Sequence, residues 1–180
     1  VDPDDEKPVM KCRGCGGKVG SGVLSAALER LEIPIRGTRQ GLNEPDDAAI
    51  LDPSSGTAEV VSVDFFQSFM EDPYLVGRIA ALNSLSDLWA SGAHPLGAMA
   101  MVTVPRGEPR QQAELLYQVL AGGLREITKG GGTLWGGHTT EGAELTIGYT
   151  VIGDLKGQEP LAKAGLRPGD QLVLAKPLGT

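Results

Sequence analysis

The chain has 180 residues, with sixteen basic and twenty-three acidic side chains and a net charge of −7. That balance speaks against nonspecific nucleic-acid binding, which needs a basic face, and no apolar run approaches the length of a membrane span. It does not exclude a phosphate ligand, because a divalent metal reverses the local sign. Aromatic residues are only 4% of the chain, so the core has to be built from Leu, Val, Ile and Ala. Two cysteines, Cys12 and Cys15, are too few for a secreted disulfide framework, and a cytoplasmic location is the default expectation.

Residues 1–10 are polar and acidic, lack the basic-then-apolar order of a signal peptide, and read as a linker or cloning remnant. Residues 11–20 form a loop rich in Cys and Gly. Apolar side chains at 23, 24, 27, 28 and 31 have helical spacing, predicting a helix over 21–32 with Ser21 as cap. Residues 36–47 read as a polar loop. Short strands are expected at 48–51 and 58–65, separated by the turn signal Pro53-Ser-Ser-Gly56. The strongest helix is 73–91: Pro73 sits in its first turn, where a missing N–H costs little, and Gly92 ends it. An apolar run between Pro95 and Pro105 predicts a buried strand over 96–104. A second long amphipathic helix follows over 109–129. Thr133–Trp135 reads as a short strand leading into a second glycine turn, residues 144–155 as a longer strand rich in β-branched residues, and residues 171–175 as a last short strand. Strands and helices alternate, so an α+β sheet of the α/β class with helices on one face is the expected architecture. Nothing after residues 171–175 closes the fold, so a domain boundary or truncation is expected near Thr180.

Five places have the residue types for chemistry. Asp46-Asp47 opens a strand; two adjacent carboxylates suit a hard cation such as Mg²⁺, or else cap a turn. Asp64 ends an apolar strand, where sheet proteins line ligand crevices, or it serves as a turn cap. Asn83 and Asp87 share one face of an otherwise apolar helix. A carboxylate there needs a metal, a cation, a hydrogen-bond donor or solvent. Gly130–Glu141 places glycine pairs around His138; such backbone can approach phosphate, yet the segment is neither a P-loop nor a dinucleotide fingerprint. Cys12-Arg-Gly-Cys15-Gly-Gly-Lys18 sets thiols beside positive charge, which raises the thiolate fraction. A zinc knuckle, a redox pair and a plain tail are the other readings of that loop.

Taken in order, Gly14-Cys-Gly-Gly-Lys18, Asn43-Glu-Pro-Asp-Asp-Ala-Ala-Ile50, Val63-Asp-Phe-Phe66, Gly77-Arg-Ile-Ala-Ala-Leu-Asn-Ser-Leu-Ser-Asp87, Gly136-Gly-His-Thr139 and Lys176-Pro-Leu-Gly179 resemble the selenophosphate synthetase (selenide, water dikinase) family. The match runs from about Cys12 to Thr180. The wider superfamily includes aminoimidazole ribonucleotide synthetase and thiamine-monophosphate kinase. The resemblance implies conversion of ATP, selenide and water to selenophosphate, AMP and phosphate. It implies catalytic roles for Cys15 and Lys18, nucleotide contacts at Lys18, Asp46, Asp64, Asp87, Gly137, His138 and Thr139, and Mg²⁺ ligands at Asp47 and Asp87, with K⁺ as a further candidate cation. The implied fold is a mixed, largely antiparallel sheet, like the N-terminal domain of aminoimidazole ribonucleotide synthetase, over residues 21–170. It is expected to form a homodimer through the sheet, with ATP near the interface. Residues 171–180 would lead to a C-terminal domain that supplies a further metal ligand, so the isolated piece is expected to be inactive. A flavin-dependent oxidoreductase ahead of the chain is a further expected partner, since some relatives carry one. One departure stands out: many relatives have a cysteine directly before the lysine, where this chain has Gly17, and its extra thiol is Cys12. A related small-molecule kinase or synthetase and a noncatalytic dimerisation module are the alternative functions.

Overall fold

A computed structural model describes residues 21–28, 31, 38–40, 46–51 and 59–176. The Cys12–Lys18 loop and the Pro53–Gly56 turn lie outside the described residues. In chain order the elements are α1 (Ser21–Leu28), β1 (Thr38–Gln40), β2 (Ala49–Leu51), β3 (Glu59–Gln67), α2 (Pro73–Ala90), β4 (His94–Pro105), α3 (Pro109–Lys129), β5 (Thr133–Gly142) and β6 (Thr146–Asp154). The strands form a six-stranded sheet in the order β1-β2-β3-β6-β4-β5. Every pairing is antiparallel except β4 with β5. The α+β expectation therefore holds: the sheet is mixed and largely antiparallel.

Both long helices pack on one face of this sheet. Alternation along the strands decides which side chains meet them. Val60 and Ser62 on β3, Ala98, Ala100, Val102 and Val104 on β4, and Ile147, Tyr149 and Val151 on β6 are buried beneath the helices. Val76, Ala80, Leu85 and Leu88 of α2 and Val119 and Ile127 of α3 complete an aliphatic core. Helix α2 begins at Asp72, whose Oδ1 accepts the Leu75 N–H at 3.0 Å, with Pro73 at its first position. That cap satisfies one of the open donors of the first turn.

Helices α2 and α3 lie unusually close. A Cβ at Gly77 would collide with the Val119 carbonyl, and one at Gly122 with the Tyr74 carbonyl. A Cβ at Gly123 would collide with the hydroxyl of Tyr149, which rises from β6 into the helix layer. That hydroxyl is buried with no hydrogen-bond partner among the described residues, and burial pushes its pKa up. Glu126 of α3, almost fully buried, accepts from Arg78 Nε of α2 at 2.6 Å and ties the pair together.

Four expectations are corrected. Thr38–Gln40, read as loop, is an edge strand on β2; its polar composition hid it, and an edge strand needs no apolar run. Strand β5 is ten residues long rather than three, and Gly136-Gly-His-Thr139 continues it instead of turning. A register shift between Ala98 and Met99 of β4 admits Trp135 as the extra residue on β5. Residues 171–175 belong to no strand, and Leu172, Val173 and Leu174 are exposed, because no partner among the described residues offers them a ladder. Of the helix expected over 21–32, α1 covers Ser21–Leu28, Leu31 lies outside it, and Val23 and Leu24 on it are exposed rather than packed.

Candidate functional site

Strand β2 runs antiparallel to β3, with Ala49 opposite Val61. The Asp46–Asp47 turn just before β2 is therefore delivered beside the Ser62–Asp64 end of β3. Helix α2 crosses the same place, because its apolar stripe must cover β3 and β6. The result brings Asp46, Asp47, Asp64 and Asp87 into one cluster.

Each carboxylate has a specific partner. Ser62, buried on the helix-facing side of β3, donates its hydroxyl to Asp87 Oδ2 at 2.5 Å. Ser62 Oγ also lies 3.4 Å from the Asp47 main-chain carbonyl oxygen. Asn83, one turn before Asp87, donates its amide to Asp64 Oδ2 at 2.8 Å. Ser84 Oγ lies 3.4 Å from the Asp64 carbonyl. Asp46 Oδ1 accepts the Asp47 N–H at 2.8 Å, so this aspartate does form the local turn contact that the simpler reading anticipated. Asp46 and Asp47 also share a cation. Lys163 Nζ is 2.6 Å from Asp47 Oδ1 and 3.4 Å from Asp46 Oδ1, and its backbone N–H reaches Asp46 Oδ2 at 3.2 Å. The hydrogen bond to Asp47 holds the Lys163 pKa above its ordinary value.

The donor set fits Mg²⁺. Asp47 and Asp87 offer hard oxygens, Ser62 touches both the Asp87 carboxylate and the Asp47 main-chain carbonyl, and the Asp46–Asp47 pair already attracts an ammonium. Among the described residues no three His, Cys, Asp or Glu side chains converge on one point. Mg²⁺ takes one or two protein carboxylates and completes its shell with water and phosphate oxygens.

The glycine-rich candidates lie elsewhere. Strands β6 and β4 separate β3 from β5, which puts Gly137, His138 and Thr139 about 14 Å or more from Asp64 on β3 at ordinary strand spacing. His138 is exposed and sits opposite Met101. Gly136 and Gly137 have φ of 155° and 158°, and a Cβ at Gly137 would strike the Ala100 carbonyl. Gly137 is thus required by the close β4–β5 pairing, whatever else it contacts, whereas a Cβ at Gly136 would meet nothing. Cys15 and Lys18 lie outside the described residues.

Three site residues escape a sequence reading: Ser62, Ser84 and Lys163. Ser62 had a signal, since period-two alternation puts it on the same sheet face as Asp64. Lys163 had none, being 117 residues beyond Asp46 in an irregular segment.

Residues 45–155 match the family model described as AIR synthase related protein, N-terminal domain. The chain is similar to the selenide, water dikinase of Pelobacter propionicus, with 40% identity over 172 residues, 95% of this chain and 49% of that protein. It is similar to the selenide, water dikinase of Desulfitobacterium hafniense strain Y51, with 41% identity over 169 residues, 92% of this chain and 48% of that protein. The chain thus spans about half the length of these curated relatives. Among solved structures it resembles protein tt0281 from Thermus thermophilus with a TM-score of 0.65 and 24% identity, over 82% of this chain and 47% of that one. That likeness supports the fold.

Proposed function

Because the chain belongs to the AIR synthase related protein family, as its N-terminal domain, we propose that it is the ATP-binding half of a selenide, water dikinase. The observation that carries this reading is the placement of Asp46, Asp47, Asp64 and Asp87 on neighbouring elements, joined through Ser62 and Asn83, in a chain 40% identical to an enzyme of that name. In this reading Asp47 and Asp87 hold Mg²⁺, which neutralises the triphosphate when bound. Ser62 fixes the Asp87 carboxylate and Asn83 fixes that of Asp64, so both acceptors are oriented before the nucleotide arrives. Cys15 and Lys18 would act on the selenium species and the transferred phosphoryl group, and a cytoplasmic location fits. Among the described residues no helix is long and apolar enough to cross a membrane.

A homodimer suits the same scheme. The sheet face away from the helices exposes Val63, Phe65, Met99 and Trp135, at 55%, 69%, 42% and 52%. Two such faces closing on each other would cover these side chains.

Selenide-dependent AMP formation by the full-length protein tests the activity. ATP turnover should require selenide and should not respond to aminoimidazole or thiamine-phosphate substrates. Cys15→Ala should lose most of that turnover, a drop of about tenfold or more as expected for loss of a nucleophile, while Mg-ATP binding stays near that of wild type. Turnover driven by one of the other substrates would favour a related kinase of the same family instead.

A further inference from the structure

The described residues put one side chain on the acidic pair that no catalytic reading asked for. Lys163 arrives from the irregular segment after β6. Two contacts moor this segment to the end of α2: the Leu161 N–H donates to the Ser91 carbonyl at 3.0 Å, and the Leu161 side chain lies beside Gly92. Ser91 in turn donates its hydroxyl to the Asp87 carbonyl at 3.0 Å. Residues 161–163 therefore run as a strap from the C-terminus of the helix that carries Asp87 to the Asp46–Asp47 turn. At its end the ammonium touches both carboxylates, while the side chain remains 62% exposed.

We propose that Lys163 is a further residue of the cation site, holding the position at Asp47 until a divalent ion displaces it and frees the strap. This rests on the reading of Asp47 as a metal ligand. Asp47 Oδ1 cannot serve a tight ammonium contact and an inner-shell metal together, since two cations at that distance repel. The exchange is feasible because the ion pair is solvent-exposed, and exposed pairs are weak. A hard divalent ion with several oxygen ligands outcompetes one ammonium. The coupling is reciprocal: whatever metal binding does to the strap, the strap does to metal affinity. Chain beyond Lys163 then leaves the Asp46–Asp47 turn when the site fills, opening that side of the cluster to a polyanionic ligand.

Two measurements on the full-length protein test this, using Mg²⁺ alone without nucleotide. Calorimetry compares wild type, Lys163→Gln, Lys163→Arg and Asp47→Asn. Limited trypsin digestion follows cleavage after Lys163 with and without Mg²⁺. Lys163→Gln should bind Mg²⁺ about two- to fivefold more tightly, the range expected from losing one exposed ion pair. Lys163→Arg should stay near wild type, and Mg²⁺ should speed cleavage after Lys163. Metal binding that is lost in Asp47→Asn, with Lys163→Gln affinity and cleavage at Lys163 both unchanged, would overturn the displacement and leave Asp47 as a ligand. Metal binding unaffected in Asp47→Asn would overturn the ligand assignment, and the displacement with it.

Discussion

A serine hydroxyl has one proton to give, and Ser62 gives it to Asp87. A hydrogen bond to an ionised acceptor contributes about 1.5–3 kcal/mol, and here it also fixes which way a proposed metal ligand faces. Ser62→Ala should therefore weaken Mg-dependent ATP binding about tenfold, corresponding to roughly 1.4 kcal/mol. Ser62→Thr should restore it, because the hydroxyl returns on a residue suited to strands. Equal losses in both variants would mean that Ser62 matters for packing and not for aiming Asp87. At this scale the sequence was only half legible. The aspartates were visible as carboxylates in costly surroundings, but each had a bland alternative, and for Asp46 part of that alternative is realised in its contact to the Asp47 N–H. Period-two alternation points to the face that Ser62 shares with Asp64, but its pairing with Asp87 and the arrival of Lys163 depend on how distant segments pack, which no local pattern encodes.

Helices α2 and α3 show what an element-level reading captures and omits. Their bounds were readable because Pro73 and Pro109 mark the starts and Gly92 and Gly130 follow the ends. The cause of Gly77 was not readable: it permits contact with the α3 backbone at Val119. Gly77→Ala should destabilise the fold by about 1–3 kcal/mol, as overpacking does in a tight core. Thermal unfolding should show this as a lowered midpoint, with no direct effect on the aspartate partners. An unchanged midpoint would mean that the helices separate at little cost. Strand β5 is the counterexample. Glycine pairs usually punctuate structure, yet Gly136 and Gly137 lie inside a strand, because the bulge at Trp135 brings the backbone of β5 against β4. Short-range cues cannot distinguish a glycine that ends a strand from one that lets a strand pair closely.

For the whole molecule, the one-sided helix layer leaves an apolar sheet face bearing Val63 and Phe65. An exposed apolar face of this kind suits the proposed homodimer. Light scattering on the full-length protein should report a dimer, and Phe65→Glu should shift it to monomer while the fold is kept. A Phe65→Glu protein that stays dimeric would place the interface elsewhere. The fold class was legible at this scale from alternating helical and strand patterns, whereas the sheet order β1-β2-β3-β6-β4-β5 rests on long-range pairing that periodicity does not report. That order matters for function, since it gathers the aspartates at β2, β3 and α2 and sends His138 to the far edge. The most direct test of the aspartate cluster is calorimetric titration of ATP into the full-length protein at saturating Mg²⁺, comparing wild type with Asp47→Asn and Asp87→Asn. Each substitution should weaken binding by about tenfold or more, and omitting Mg²⁺ from the wild type should do the same. Affinities indistinguishable from wild type in both variants would contradict the assignment of these carboxylates to a magnesium-ATP site.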